Sequence, residues 1–156
     1  MADPIPAVIL EALAAGYGDS LVVTCARPEG PWRLLVDTGP DECWPMLMAR
    51  LAQIPLNAAG KRHIDLVVIS HIDHDHIGGA GLLFDDRSLD LSFGDIWFNA
   101  PKGPAMRGVA EGERLAGLLG ARDIALPWNK AFGGKAVATA PDGGFVEFPE
   151  TPDSPC

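Results

Sequence analysis

At 156 residues, 47% hydrophobic and 21% charged, the chain has the size and composition of one ordinary globular domain, which argues against two full domains and against a disordered or fibrous chain. Its net charge of -9 argues against a broad basic nucleic-acid surface, since phosphate binding works through Lys and Arg displacing counterions. Three widely spaced cysteines, Cys25, Cys43 and Cys156, fit neither a disulfide framework nor a cysteine zinc knuckle, so a reducing, cytoplasmic setting is expected.

The N-terminus carries no basic and apolar signal pattern, and no apolar run reaches the roughly 20 residues that cross a bilayer, so no membrane contact is expected. Ala7–Leu13 reads as a strand ending at the turn Gly16-Tyr17-Gly18-Asp19. Leu21–Ala26 and Arg33–Val36 follow, separated by Pro28-Glu29-Gly30-Pro31, and the three predict an antiparallel meander. Trp44, Leu47, Met48, Leu51 and Ile54 fall on one helical stripe, with Pro45 in the first turn and Pro55 beyond the far end. Ile64–Ile69 is a short continuous apolar run, the pattern of a strand buried on both faces. Further on, the pattern predicts a short helix over Gly78–Phe84, a strand over Asp95–Asn99 and a helix over Glu111–Ala121. Residues 128–139 are ambiguous, Gly144–Phe148 reads as a strand, and 150–156 as a loose tail after a domain of 1–149.

The most informative stretch directly follows the buried strand. His71, Asp73, His74, Asp75 and His76 place five potential metal ligands in six consecutive residues, and three of the four histidines in the chain lie here. A strand fixes the backbone while the turn after it aims side chains at one point, and imidazole with carboxylate suits zinc, manganese or iron. Gly78 and Gly79, lacking Cβ, let the next segment approach closely.

Ser70–Gly79 resembles the second motif of the metallo-β-lactamase superfamily, His-x-His-x-Asp-His followed by Gly-Gly, with Asp73 at the second histidine position. That variant is similar to the ComEC-like branch, as are Gly16-Tyr17-Gly18-Asp19-Ser20 and Leu34-Leu35-Val36-Asp37-Thr38-Gly39. The resemblance implies an α+β fold, the αββα sandwich, with this chain its N-terminal half. It implies that His71 and Asp73 serve a first divalent ion and Asp75 and His76 a second, zinc foremost and manganese or iron as alternatives. Asp75 would also handle the proton of the attacking water, and Asp37 would support a ligand through a hydrogen bond. His74 falls at a variable position and is not counted. The implied activity is metal-assisted hydrolysis of a phosphodiester or other ester, with a small-molecule or phosphoester substrate.

No histidine follows His76, and the downstream carboxylates Asp85, Asp86, Asp95, Asp123 and Asp142 sit in no matching motif. The expectation is therefore a partial domain whose other half lies further along the polypeptide or in a partner chain. The alternative is a catalytically inactive, truncated or degenerate copy acting as a binding module. Either version would expose an apolar sheet face. Among single residues, Asp73 alternatively only hydrogen-bonds His71, Asp37 and Asp19 alternatively only shape turns, and His63 reads as an exposed loop residue. Trp44, Trp97 and Trp128 read as packing residues, Cys25 as a small buried hydrophobe and Cys43 as a helix-end residue.

Overall fold

A computed structural model describes residues 7–99, 109–120 and 126–137; the strand expected at 144–148 and the tail at 150–156 lie outside the described residues. The first three strands, β1 (Val8–Ala12), β2 (Leu21–Cys25) and β3 (Trp32–Val36), form the expected antiparallel meander. Two crossovers then add β4 (Arg62–Ile69) and β5 (Leu91–Phe98), both parallel to β3, so one mixed sheet runs β1-β2-β3-β4-β5.

The first crossover is α1 (Trp44–Leu51), preceded by a 3-10 turn over Asp41–Cys43 and carrying Pro45 in its first turn, where a missing N–H costs nothing. Leu47 and Leu51 are fully buried, Ile54 is buried just past the helix, and Trp44 and Met48 are half-buried, so the stripe faces the core as its spacing predicts. The helix stops before Pro55, in a tight turn closed by Gln53 N to Arg50 O at 3.1 Å and Ile54 N to Leu51 O at 3.0 Å. The second crossover holds α2 (His74–Ile77) and α3 (Ala80–Asp85), and α4 (Val109–Gly120) comes later.

Strand alternation divides the side chains between two faces. Val22, Leu35, Val67 and Ile96 pack with Leu47, Leu83 and Leu115 of the helices in the main core. Their neighbours Val23, Leu34, Val68 and Trp97 gather with Cys25, Trp32 and Leu66 in a smaller cluster on the opposite face. There Phe132, from a 3-10 turn over Lys130–Phe132, meets Trp97 edge-on at 5.3 Å. Asp95 holds that turn, accepting from Lys130 N and Ala131 N at 2.9 Å each, while Trp128 bridges in parallel to Ile96.

Some elements depart from expectation. His63 lies within β4 rather than in a loop, with its Nδ1 2.9 Å from Ser92 Oγ. β5 begins four residues earlier than its apolar pattern suggests, because pairing with β4 extends back to Leu91 opposite Arg62. At the sheet edge, Val8, Ile9 and Leu10 are each more than half exposed despite their apolar character.

β1 is tied to α1 by an ion pair in which Arg50 donates Nε to Glu11 Oε1 at 2.8 Å and Nη2 to Glu11 Oε2. The hydrogen bond from Arg50 holds the Glu11 carboxyl below its ordinary value of 4.5, against an opposing contribution from burial. A depressed carboxyl pKa gives stability that is present above the unfolded value and lost as pH falls through the folded one. We therefore expect Glu11→Gln to lower the melting temperature above pH 4.5. The two melting curves should converge in more acidic buffer; a constant offset down to full protonation would contradict the pairing.

Candidate metal centre

Because β3, β4 and β5 are parallel, their carboxyl ends share one edge of the sheet, and side chains just past neighbouring strands converge there. β3 delivers Asp37 to this edge, and β4 delivers Ser70 and His71. Asp37 adopts a left-handed backbone, φ 56°, a conformation that Asp tolerates better than most residues. Its N–H donates to Val68 O at 2.8 Å, and Ser20 Oγ donates to its carbonyl at 3.3 Å.

The Asp37 side chain, only 3% exposed, is a hub. Oδ1 accepts from Ser70 N at 2.7 Å, and Oδ2 accepts from Ser70 Oγ at 2.5 Å and from His76 Nδ1 at 3.0 Å. This leaves His76 Nε2 directed elsewhere, and Asp75 Oδ2 lies 3.6 Å from it. The hydrogen bond with Asp37 raises the His76 pKa above the ordinary imidazole value; partial burial opposes it, and the charges of Asp37, Asp75 and Asp19 add to it.

The second part of the ligand-rich window, from His74 on, is a short helix rather than an irregular turn, and His71–Asp73 lead into it. Asp73 caps α2 in extended conformation, its carbonyl accepting from His76 N at 2.9 Å and Ile77 N at 3.0 Å. Two other segments clamp it. Asp19 N donates to Asp75 O at 3.1 Å, and Thr38 donates both N (2.9 Å) and Oγ1 (3.0 Å) to His76 O. Gly78 and Gly79 lie against Thr38 and Pro40, so close that a Cβ on Gly78 would stand 2.9 Å from Pro40 Cα.

His71 is oriented within its own loop: Asp73 Oδ2 is 3.1 Å from its Nδ1, and Asp73 N donates to that nitrogen at 3.3 Å. The His71 and His76 rings stand 5.7 Å apart, edge to face. The four residues expected as ligands thus form two neighbouring imidazole–carboxylate pairs, His71 with Asp73 and His76 with Asp75. His74, which the motif leaves out, points away to Asp41 Oδ1 at 3.3 Å and Glu42 Oε2 at 3.6 Å. Among the described residues, Asp41, Glu42 and His74 are the group of three with ligand atoms all within 4.8 Å of one another, and both carboxylates are solvent-exposed.

His71, Asp73, Asp75 and His76 suit a divalent ion by the chemistry of their donors, while no three of them bring their ligand atoms within 4.8 Å of one another. Nitrogen and oxygen donors match zinc and its neighbours, and a buried carboxylate on the far nitrogen of a histidine fixes the ring and its tautomer for ligation. The supporting positions Ser70, Thr38 and Asp19 lie inside the stretches that carry the resemblance, but the sequence does not say what each of them touches. Ser70 and Thr38 could have been found from their places next to His71 and Asp37; Asp19, whose Oδ2 lies 3.7 Å from His76 Nδ1, lies on a remote turn.

A family model described as the metallo-beta-lactamase superfamily matches residues 17–144. The chain is similar to ComE operon protein 3 of Bacillus subtilis (strain 168), at 33% identity over 91 residues covering 51% of this chain. The matched part spans 12% of that relative's length. No solved structure matches significantly.

Proposed function

The chain belongs to the metallo-beta-lactamase superfamily, and from that premise we propose that it is a metal-dependent hydrolase domain of the ComEC-like kind, acting on phosphodiester or other ester substrates. The observation that carries the reading is the Asp37–His76 hydrogen bond, which turns Nε2 of His76 toward Asp75 at the mouth of the parallel strands. In this reading His71 and Asp73 hold one divalent ion, zinc foremost, and Asp75 and His76 a second. Such an ion lowers the pKa of water from about 15.7 toward 7 and polarises the scissile ester.

The remaining work falls to the chain. Asp37 orients His76, and Thr38 and Asp19 fix the backbone of α2 so that the donors keep their spacing. Asp75, with its side chain 35% exposed, is the group that takes a proton from the attacking water. Two donors per ion is fewer than the four usual in a zinc site. This supports a reading in which further ligands come from elsewhere in the polypeptide or from a partner chain. A reducing, cytoplasmic setting is part of the same proposal, supported by unpaired Cys25 and Cys43. Among the described residues, no helix is long and apolar enough to cross a membrane.

The test is metal uptake followed by turnover. Wild-type protein dialysed against zinc should retain it by elemental analysis, and His71→Ala and His76→Ala should each lose at least about half of it. Bis(p-nitrophenyl) phosphate or p-nitrophenyl acetate should be hydrolysed by the loaded protein and not after chelation. Retention of no zinc or manganese by the wild type would refute the proposal. Stoichiometric metal without any turnover would favour the non-catalytic binding module instead.

A further inference from the structure

We propose that Asp41, Glu42 and His74 form a further divalent-cation site, suited to zinc, that staples the start of α2 to the 3-10 turn ahead of α1. It takes none of the residues assigned to the two ions of the hydrolase reading and does not depend on that reading.

His74 is the histidine that the motif leaves over, and its Nε2 lies 3.3 Å from Asp41 Oδ1 and 3.6 Å from Glu42 Oε2. The ligand atoms of all three residues fall within 4.8 Å of one another, a convergence that no three of the motif residues reach. A charge-assisted N–H···O bond is about 2.7–2.9 Å long, so both separations are longer than direct pairing gives. They match the edge of a zinc tetrahedron instead, since bonds of about 2.0–2.2 Å put neighbouring ligands about 3.3–3.6 Å apart. One imidazole nitrogen and two carboxylate oxygens are ordinary zinc donors, and both carboxylates are exposed, which lets water take the fourth position.

The donors come from two different crossovers, and the backbone brings them together without help from an ion. Cys43 N donates to Pro40 O at 3.0 Å and closes the turn that presents Asp41 and Glu42, while Gly78 N donates to His74 O at 2.9 Å. The two segments meet at Gly78, where a Cβ would stand 2.7 Å from His74 O and 2.9 Å from Asp41 N. An ion arriving here therefore finds its ligands already gathered. Two adjacent carboxylates on a chain of net charge -9 repel each other, and a divalent ion between them removes that repulsion.

The chain has four histidines, so nitrogen-15 histidine labelling lets each ring be followed separately. The full chain, freed of metal by chelation, would be titrated with zinc, and His74→Gln identifies the His74 signals. The expected result is a saturable shift of His74 Nε2 to the position of a metal-bound nitrogen. Asp41→Asn and Glu42→Gln should each raise the zinc concentration at half-saturation of that shift by at least about tenfold, since losing a ligand costs no less than losing a residue that orients one. A His74 signal unmoved in excess zinc, as a plain ion pair would leave it, or wild-type half-saturation in both carboxylate variants, overturns the site. Zinc shifts at His71 and His76 without one at His74 overturn this proposal and leave the hydrolase reading intact. A shift at His74 alone supports this site and counts against that reading.

Discussion

Asp37→Ala is expected to weaken zinc binding by about 10- to 100-fold, the range for removing a carboxylate that orients a ligating histidine. The expectation follows from where the carboxylate sits. It is the acceptor for the Nδ1 proton of His76 and for both the N–H and the hydroxyl of Ser70, and it is almost wholly buried. Removing it frees the His76 ring to rotate and takes away the shared acceptor of the Ser70 N–H and hydroxyl. The substitution should therefore also lower the melting temperature of the metal-free protein. Asp37→Asn separates the two effects. Asn suits the left-handed backbone about as well as Asp, but its NH2 replaces one acceptor oxygen where donors converge from two sides. It should keep most of the fold and still lose metal affinity. Calorimetric titration with zinc checks both variants, and wild-type affinity in Asp37→Ala would show that His76 needs no such support.

The same residue shows how much of the site was legible in the sequence. An aspartate at the end of the apolar run Leu34-Leu35-Val36, followed by Thr-Gly, marks a strand end, and the motif resemblance assigns it a supporting part. Only the parallel pairing of β3 with β4, a long-range fact, puts it against His76. The ligand window was readable as a cluster, but its helical form was not. Four residues are too few to carry a period, and a helix that short exists only because other segments satisfy its backbone. Asp19 does that work through its main-chain N–H, which side-chain identity does not encode, and Thr38 through both its N–H and its hydroxyl.

The sheet teaches a related lesson. Leu91–Gly94 lacks the continuous apolar pattern of a strand, since Ser92 and Gly94 interrupt it, yet it pairs with β4 from Arg62 onward. Gly94 is there because a Cβ would collide with the Asp65 carbonyl, so the residue that weakens the local signal is the one the packing requires. Conversely, Val8–Leu10 gives a strong apolar signal and remains half-exposed at the sheet edge. Periodicity reports that a segment is a strand; its position in the sheet decides how much of it is buried.

Gly78→Ala is the second substitution with a large expected effect, and here the two adjacent glycines differ. A Cβ on Gly78 would stand 2.7 Å from His74 O, 2.9 Å from Asp41 N and 2.9 Å from Pro40 Cα, all of them backbone atoms. A flexible side chain could swing aside, but the contact with His74 O yields only if the end of α2 itself unwinds, and those with Asp41 and Pro40 only if α2 moves away from the Thr38–Asp41 segment. That movement would strain the paired bonds from Thr38 to His76 O and the bond from Gly79 N to Gly39 O at 3.0 Å, which hold the ligands in place. Overpacking of this kind costs about 1–3 kcal/mol, so Gly78→Ala should lower the melting temperature and weaken zinc binding together. A Cβ on Gly79 meets its nearest neighbours, all atoms of Thr38, at 3.1–3.3 Å, where a shift of a few tenths of an ångström suffices. Gly79→Ala should therefore be the milder of the pair in both measurements. Equal effects would mean that the close approach of α2 to the Thr38–Asp41 segment does not set the ligand geometry, whereas a wild-type zinc affinity in Gly78→Ala would place the ligands on a backbone that tolerates displacement.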